Sequence, residues 1–275
     1  MGPVFQALAR EAGLAAEHLA AGVTSLGKAN YAHKGIYFQA FFDLSIGFER
    51  AAKLAIIIDY YIANNRTFPT NQILKNKYGH NLEALLEKTD QIAESRTHNG
   101  EPNRLPRTPI HKGIIKTLSE FADKSRYYNL DYLTSRNTAA QSDDPLRVWF
   151  ENVIVPILNR HYKKHQRDKH INNARIIDAM LSDFAVVSFH AEDGCALDTA
   201  FDASLQTAQT EFAKPFSRMY VMQIMRFLSF LLSDLSHVAM KKGSEDMPHL
   251  SEFFGIFFND DKYFKGRKTW SIYKP

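Results

Sequence analysis

Residues 144–158 read DPLRVWFENVIVPIL, and their spacing decides the fold. Asp144-Pro145 is a helix-start signature: an acceptor side chain to cap the first free N–H groups, then a proline whose fixed φ suits the first helical position. Leu146, Trp149, Phe150, Val153, Ile154, Ile157 and Leu158 follow at intervals of three and four, which places them on one side of a 3.6-residue helix. Pro156 interrupts the pattern, removes one backbone donor and predicts a bend.

The same punctuation recurs in both directions along the chain. Upstream, Ala7–Ala20 is alanine-rich and amphipathic, and His33–Ile62 is a long apolar-periodic stretch in which Gly35 and Gly47 are the weak points. Pro69-Thr70 opens a short helix that Gly79 ends, and another helix is predicted over Leu82–Ser95. Thr108-Pro109 repeats the cap-plus-proline signature, and Arg126–Leu133 reads as a further helix. Arg96–Arg107 and Arg136–Asp144 read as connections. Downstream, helices are expected over Ala174–Phe189 and from Lys214 to Met240, with a small-residue loop at Glu192–Cys195 between them. Lys241–Pro248 closes the last helix, and an aromatic tail, Phe253–Tyr273, caps the bundle with one short strand near Thr269–Tyr273. No repeat of 20–50 residues occurs. The expectation is an all-α helical bundle with additional C-terminal helices. It is divided into an N-terminal extension (1–32), a bundle (33–190) and a C-terminal helical extension packed on it (191–275).

Composition supports a sizeable core: 45% of the 275 residues are hydrophobic and 12% aromatic. The single cysteine, Cys195, leaves no intrachain disulfide and suits a reducing compartment. The most apolar window, Met219–Leu232, carries Gln223 and Arg226 and falls short of the roughly 20 apolar residues that span a bilayer. With no targeting signal evident at the N-terminus, the expectation is a cytoplasmic protein with no membrane partner. The net charge of +4 is small, so the placement of charge matters more than its sum.

One segment concentrates it. Residues 160–170 read RHYKKHQRDKH: five cations, one acid and three histidines. Basic side chains near a helix end satisfy its dipole without any function. The spacing adds something more. Val153, Ile157, His161 and His165 stand four apart, so a helix that persists carries both imidazoles on the continuation of its apolar face, with Arg160 at the edge. Such a trio suits RNA cleavage. The ribose 2′-OH attacks its own phosphate; imidazole moves protons near neutrality, and a guanidinium steadies the phosphoryl oxygens. Lys163, Lys164, Arg167 and Lys169 would hold the nucleic-acid backbone. A metal site built on His161 and His165 would need Cys195 or His190 from elsewhere, so no metal or other cofactor is expected.

These residues resemble the HEPN superfamily of helical domains found in prokaryotic toxins and defence ribonucleases. Arg160–His165 is similar to that family's motif of Arg, four to six residues, then His. Phe42–Ile62, with Glu49-Arg50 and Lys53, resembles its first helix, and Lys77–Leu86 (KYGHNLEALL) a second segment. Ser125–Leu133 has an aromatic look found in larger relatives. The resemblance covers roughly residues 33–170. It implies a homodimer in which Arg160 binds the scissile phosphate of RNA, His165 transfers protons and His161 supports either role. An antitoxin or other regulatory partner would restrain it. Many members of the superfamily are catalytically silent, so a nucleic-acid-binding or interaction protein of the same fold is the alternative, and a metal-dependent hydrolase a third.

Overall fold

The computed structural model describes residues 2–73, 79–96, 103–134 and 144–272. Among these residues the chain is an all-α bundle whose only sheet is a two-stranded ribbon. Helices α1 (Pro3–Leu26) and α2 (Lys34–Ala63) form an antiparallel pair, and α3 (Leu82–Arg96) and α4 (Pro109–Asp123) close against α2. After α5 (Tyr128–Thr134) come α6 (Pro145–Trp149), a π-helical turn (Phe150–Ile154), α7 (Val155–His161) and α8 (Lys164–Leu181). The ribbon pairs β1 (Phe189–His190) antiparallel with β2 (Ala196–Leu197). Helix α9 (Ala200–Lys241) runs through the molecule, and α10 (Ser251–Phe254) and α11 (Asp261–Gly266) finish the chain. The Leu74–Tyr78 part of the expected short helix lies outside the described residues, as do most of the two expected connections.

The α1–α2 contact is close because glycine and leucine face each other twice. A Cβ on Gly22 would lie 2.7 Å from the Leu44 side chain, and one on Gly47 would lie 2.8 Å from Leu19. Gly47, a weak point by propensity, is therefore a packing site. Phe41 and Trp149 sit at the centre with ring centroids 5.2 Å apart, and Phe121 meets Phe41 edge-on at 5.6 Å. One contiguous core joins Leu8 of α1 to Trp270 of the tail. The methionines of α9 belong to it, and the aromatic tail does cap the bundle through buried Phe254, Phe257, Phe264 and Trp270.

Where chain enters α4, charge holds it in place. The buried carboxylate of Asp90 accepts from Arg104 Nε and Nη2 (both 2.8 Å), Arg107 Nη2 (2.7 Å) and the Leu105 N–H (2.8 Å). Burial by itself raises this carboxyl; the hydrogen bonds overcome it and leave the pKa at about 2.

Several expectations are corrected. The irregularity expected at Pro156 takes the form of a π-turn over Phe150–Ile154 within a continuous helix of residues 145–161, just before the proline. The helix then stops at His161 without any glycine or proline. Tyr162 leaves helical geometry (ψ 89°) and buries its ring against Phe212 at 4.8 Å, its hydroxyl 2.8 Å from His170 Nδ1. Helix α8 ends at Leu181, and residues 185–188 continue extended into β1. The expected small-residue loop is the turn of the ribbon. The long C-terminal helix starts fourteen residues before Lys214, with Pro215 inside it. No strand forms over residues 269–272; residue 273 lies outside the described set.

Candidate active site

The basic segment is split by the break at Tyr162. Arg160 and His161 end α7, whereas Lys163 precedes α8 and Lys164, His165, Arg167 and Lys169 belong to it. His165 is exposed on a different helix from Arg160 and does not continue the buried face of α7. His170 is used structurally, through Tyr162. His161 turns inward, and there the structure assembles a network that residue spacing did not show.

His161 stacks on Phe216 of α9, with centroids 4.2 Å apart and planes within 14°. Its Nε2 lies 2.9 Å from the hydroxyl of Tyr220, one turn further along the same helix. The ring of buried His111, from α4, meets Tyr220 edge-on at 5.1 Å. Two helices thus bring imidazoles to one phenol on a third.

The second layer fixes the state of His111. Gln223 Nε2 donates to Asp261 Oδ2 (2.8 Å), so its Oε1 is turned to accept from His111 Nε2–H (2.8 Å). The Thr108 hydroxyl, 2.7 Å from Nδ1, then donates to that nitrogen. Thr108 does stand at the N-cap position, but its hydroxyl serves His111 and makes no cap bond. Arg226 pairs with Asp261 at 3.1 Å and donates to the Asn259 carbonyl at 2.9 Å, which holds α11 against α9.

Electrostatics favour neutral rings. Burial pushes His111 below the ordinary imidazole range, and the charge of Arg160 acts in the same direction against the bond to Gln223. His161 is lowered by burial, then by Arg160 and Lys265. Burial raises Tyr220, which stays protonated. Arg160 itself is exposed, yet near enough for its charge to be felt at His111, His161 and Tyr220. Among the described residues, Arg160, Lys163, Lys164, Arg167 and Lys169 enter no ion pair, unlike Arg50, Arg104, Arg107 and Arg147.

This arrangement has a chemical consequence. A phenol can donate or accept, so with Nε2 tied to Tyr220 the other ring nitrogen of His161 can serve as acceptor or donor. When Nδ1 is bare, Nε2–H donates to Tyr220; when Nδ1 carries the proton, Tyr220 donates to Nε2. The ring is held, neutral and able to exchange a proton beside a guanidinium.

The other motif-like pieces are structural. Arg50 Nη1 donates to both carboxylate oxygens of Glu11 (2.7 and 2.8 Å), and Glu49 binds Lys53 at 2.8 Å and His80 at 3.0 Å. Cys195 is exposed at the ribbon turn and His190 lies in β1. Among the described residues no three His, Cys, Asp or Glu side chains cluster as metal ligands, and no helix is long and apolar enough to cross a membrane.

His111, Tyr220, Phe216 and Lys265 were missed from sequence. The available signal was Thr108-x-x-His111 at a helix start, which spacing alone does not connect to position 161. Comparisons against protein-family models, curated proteins and solved structures find no match for this chain.

Proposed function

We propose that the chain is a metal-independent endoribonuclease of the toxin or antiviral-defence type. The observation that carries this reading is His161, held by Phe216 and Tyr220 in a neutral state beside the unpaired guanidinium of Arg160. The similarity of Arg160–His165 to the HEPN motif supports it independently.

RNA backbone lies along the unpaired cations Lys163, Lys164, Arg167 and Lys169, and Arg160 binds the scissile phosphate. His161, through Nδ1, takes the proton of the ribose 2′-OH while Nε2–H donates to Tyr220. The 2′-oxygen attacks phosphorus, a cyclic phosphate forms and the 5′-oxygen leaves with a proton, which exposed His165 supplies. His111 and Gln223 position Tyr220. They do not touch RNA.

The test is cleavage of several RNAs by the pure protein in EDTA, with Arg160→Ala, His161→Ala and His165→Ala alongside. Loss of a proton-transfer group or a phosphate-stabilising charge costs about 100-fold or more. Absence of cleavage by the unaltered protein, or equal cleavage by His161→Ala, refutes the reading. The unpaired cations also favour a second one, in which RNA is bound without turnover. That gives salt-dependent affinity, with a slope that falls by about 0.7 for each lysine removed, and no product.

A further inference from the structure

The C-terminal half of α8 and the chain that follows it expose a run of large apolar side chains. Ile176, Met180 and Phe184 stand four apart and are 59%, 68% and 89% exposed; Val186 is 97% exposed. Leu181 and Phe189 extend the patch at either side. Taking roughly 150 Å² for a wholly exposed large side chain, the low end of the aromatic range, these six present on the order of 600 Å², at the top of what a monomer exposes before the adjoining groove is added. The largest apolar patch on a monomer is about 300–600 Å², whereas a specific interface takes about 800 Å² from each partner.

Two further observations decide what covers it. Directly beside the ridge lies a groove of about 510 Å³, with Ile177, Leu181 and Val187 on one wall and Ala203 and Thr207 of α9 on the other. Ridge and groove side by side on one face are what a two-fold axis needs, since each copy then offers the other both halves of the contact. Residues 185–188 are also extended, with Val187 turned to the groove and Val186 away from it. Among the described residues no backbone hydrogen bond engages 186–188. An extended segment with free N–H and C=O groups and apolar side chains is a template for pairing with another strand. A membrane is a poorer fit. A surface-lying helix spreads charge along its whole length, whereas α8 carries its exposed cations mainly before position 176 and its exposed apolar residues from there on.

We infer that this face joins two copies of the chain, residues 185–188 pairing antiparallel across a two-fold axis with Phe184 of each copy seated in the other's groove. A homodimer is already what the HEPN resemblance implies; what is inferred here is the face that forms it, read from exposure and shape without the ribonuclease reading.

Light scattering and sedimentation at micromolar concentrations test it, with Phe184→Asp and Val186→Lys compared at matched thermal stability. These side chains lie almost wholly in solvent, so the fold is expected to survive their replacement. The expected result is a dimer that each substitution weakens at least tenfold. Amide exchange at 186–188 is expected to slow as concentration rises and the dimer fills. A monomer at all these concentrations overturns the inference. So does a dimer indifferent to both substitutions, or one in which 186–188 exchange as free chain. Co-sedimentation of a monomeric protein with anionic phosphatidylserine vesicles, lost in Phe184→Asp, would assign the face to lipid and equally overturn it.

Discussion

Gly113→Ala is the substitution on which two rules of helix energetics give opposite signs. Gly113 lies in the interior of α4, where replacement by alanine gains up to about 1 kcal/mol of intrinsic helix propensity. A Cβ built there lies 2.2 Å from the backbone oxygen of Asn152 and 2.9 Å from its carbonyl carbon. Backbone cannot rotate away as a side-chain tip can. Ordinary contact begins near 3.4 Å, so α4 and the π-turn must separate by about 1 Å. Overpacking of this kind costs about 1–3 kcal/mol, and more where backbone must move. Setting that against the propensity gain, a net loss of about 1–3 kcal/mol is expected. In a chain of this size it corresponds to roughly 3–10 °C in melting temperature. The assay is urea unfolding at pH 7.5, with melting temperature as a check. The displacement also parts His111 on α4 from Arg160 and His161 at the end of α7, so the resonances of both imidazoles should titrate at altered pH. A variant as stable as the parent or more so, with unchanged histidine titration, refutes the reasoning, since propensity would then have outweighed the contact.

Asp90→Asn is expected to lose about 1–2 kcal/mol at pH 7, reduced from the full shift because its arginines are half exposed. The Asp90 carboxyl is lowered on folding, so its contribution is complete above about pH 4 and disappears as pH falls towards 2; denaturation from pH 7 to 3 should show the gap between parent and variant narrowing. His111, His161 and His170 are all lowered, chiefly by burial, so the unfolded chain binds protons first. Stability should be full above pH 6.5 and decline below it, and a urea midpoint equal at pH 7.5 and 5.5 would contradict this. Glu192, buried in the ribbon turn, accepts from Tyr37 (3.1 Å) and Gln206 (2.6 Å). Glu192→Leu strands both donors and should cost about 2–4 kcal/mol by chemical denaturation, against under about 2 for Glu192→Gln.

The sequence announced helix starts better than helix ends. Thr108-Pro109 and Asp144-Pro145 mark the first residues of α4 and α6, because proline and a capping residue act locally. The end of α7 carries no glycine or proline signal: Tyr162 leaves the helix to pack on Phe212, fifty residues away in sequence, and to meet His170 on the next helix, contacts that no local helix-end pattern encodes. The start of the long C-terminal helix was misplaced in the other direction. It was expected at Lys214, yet α9 begins at Ala200 and runs through Pro215, and the polar turns before that proline are held by buried Gln206 and Thr210 against Glu192. For the site, Arg160 and His161 stood out in a charged run. Their relation to His111 and Tyr220 depends on three helices converging, which no spacing within one segment encodes.

The division of α8 into a cationic first half and an apolar second half has a consequence for solution behaviour. The two ends respond to salt with opposite sign. Raising chloride screens exposed ammonium and guanidinium groups within a Debye length of about 8 Å at 0.15 M. Sulfate, by exclusion from protein surface, strengthens burial at the other end. A single helix thereby gives the molecule two ionic responses, and the choice of anion selects which end governs what it adheres to.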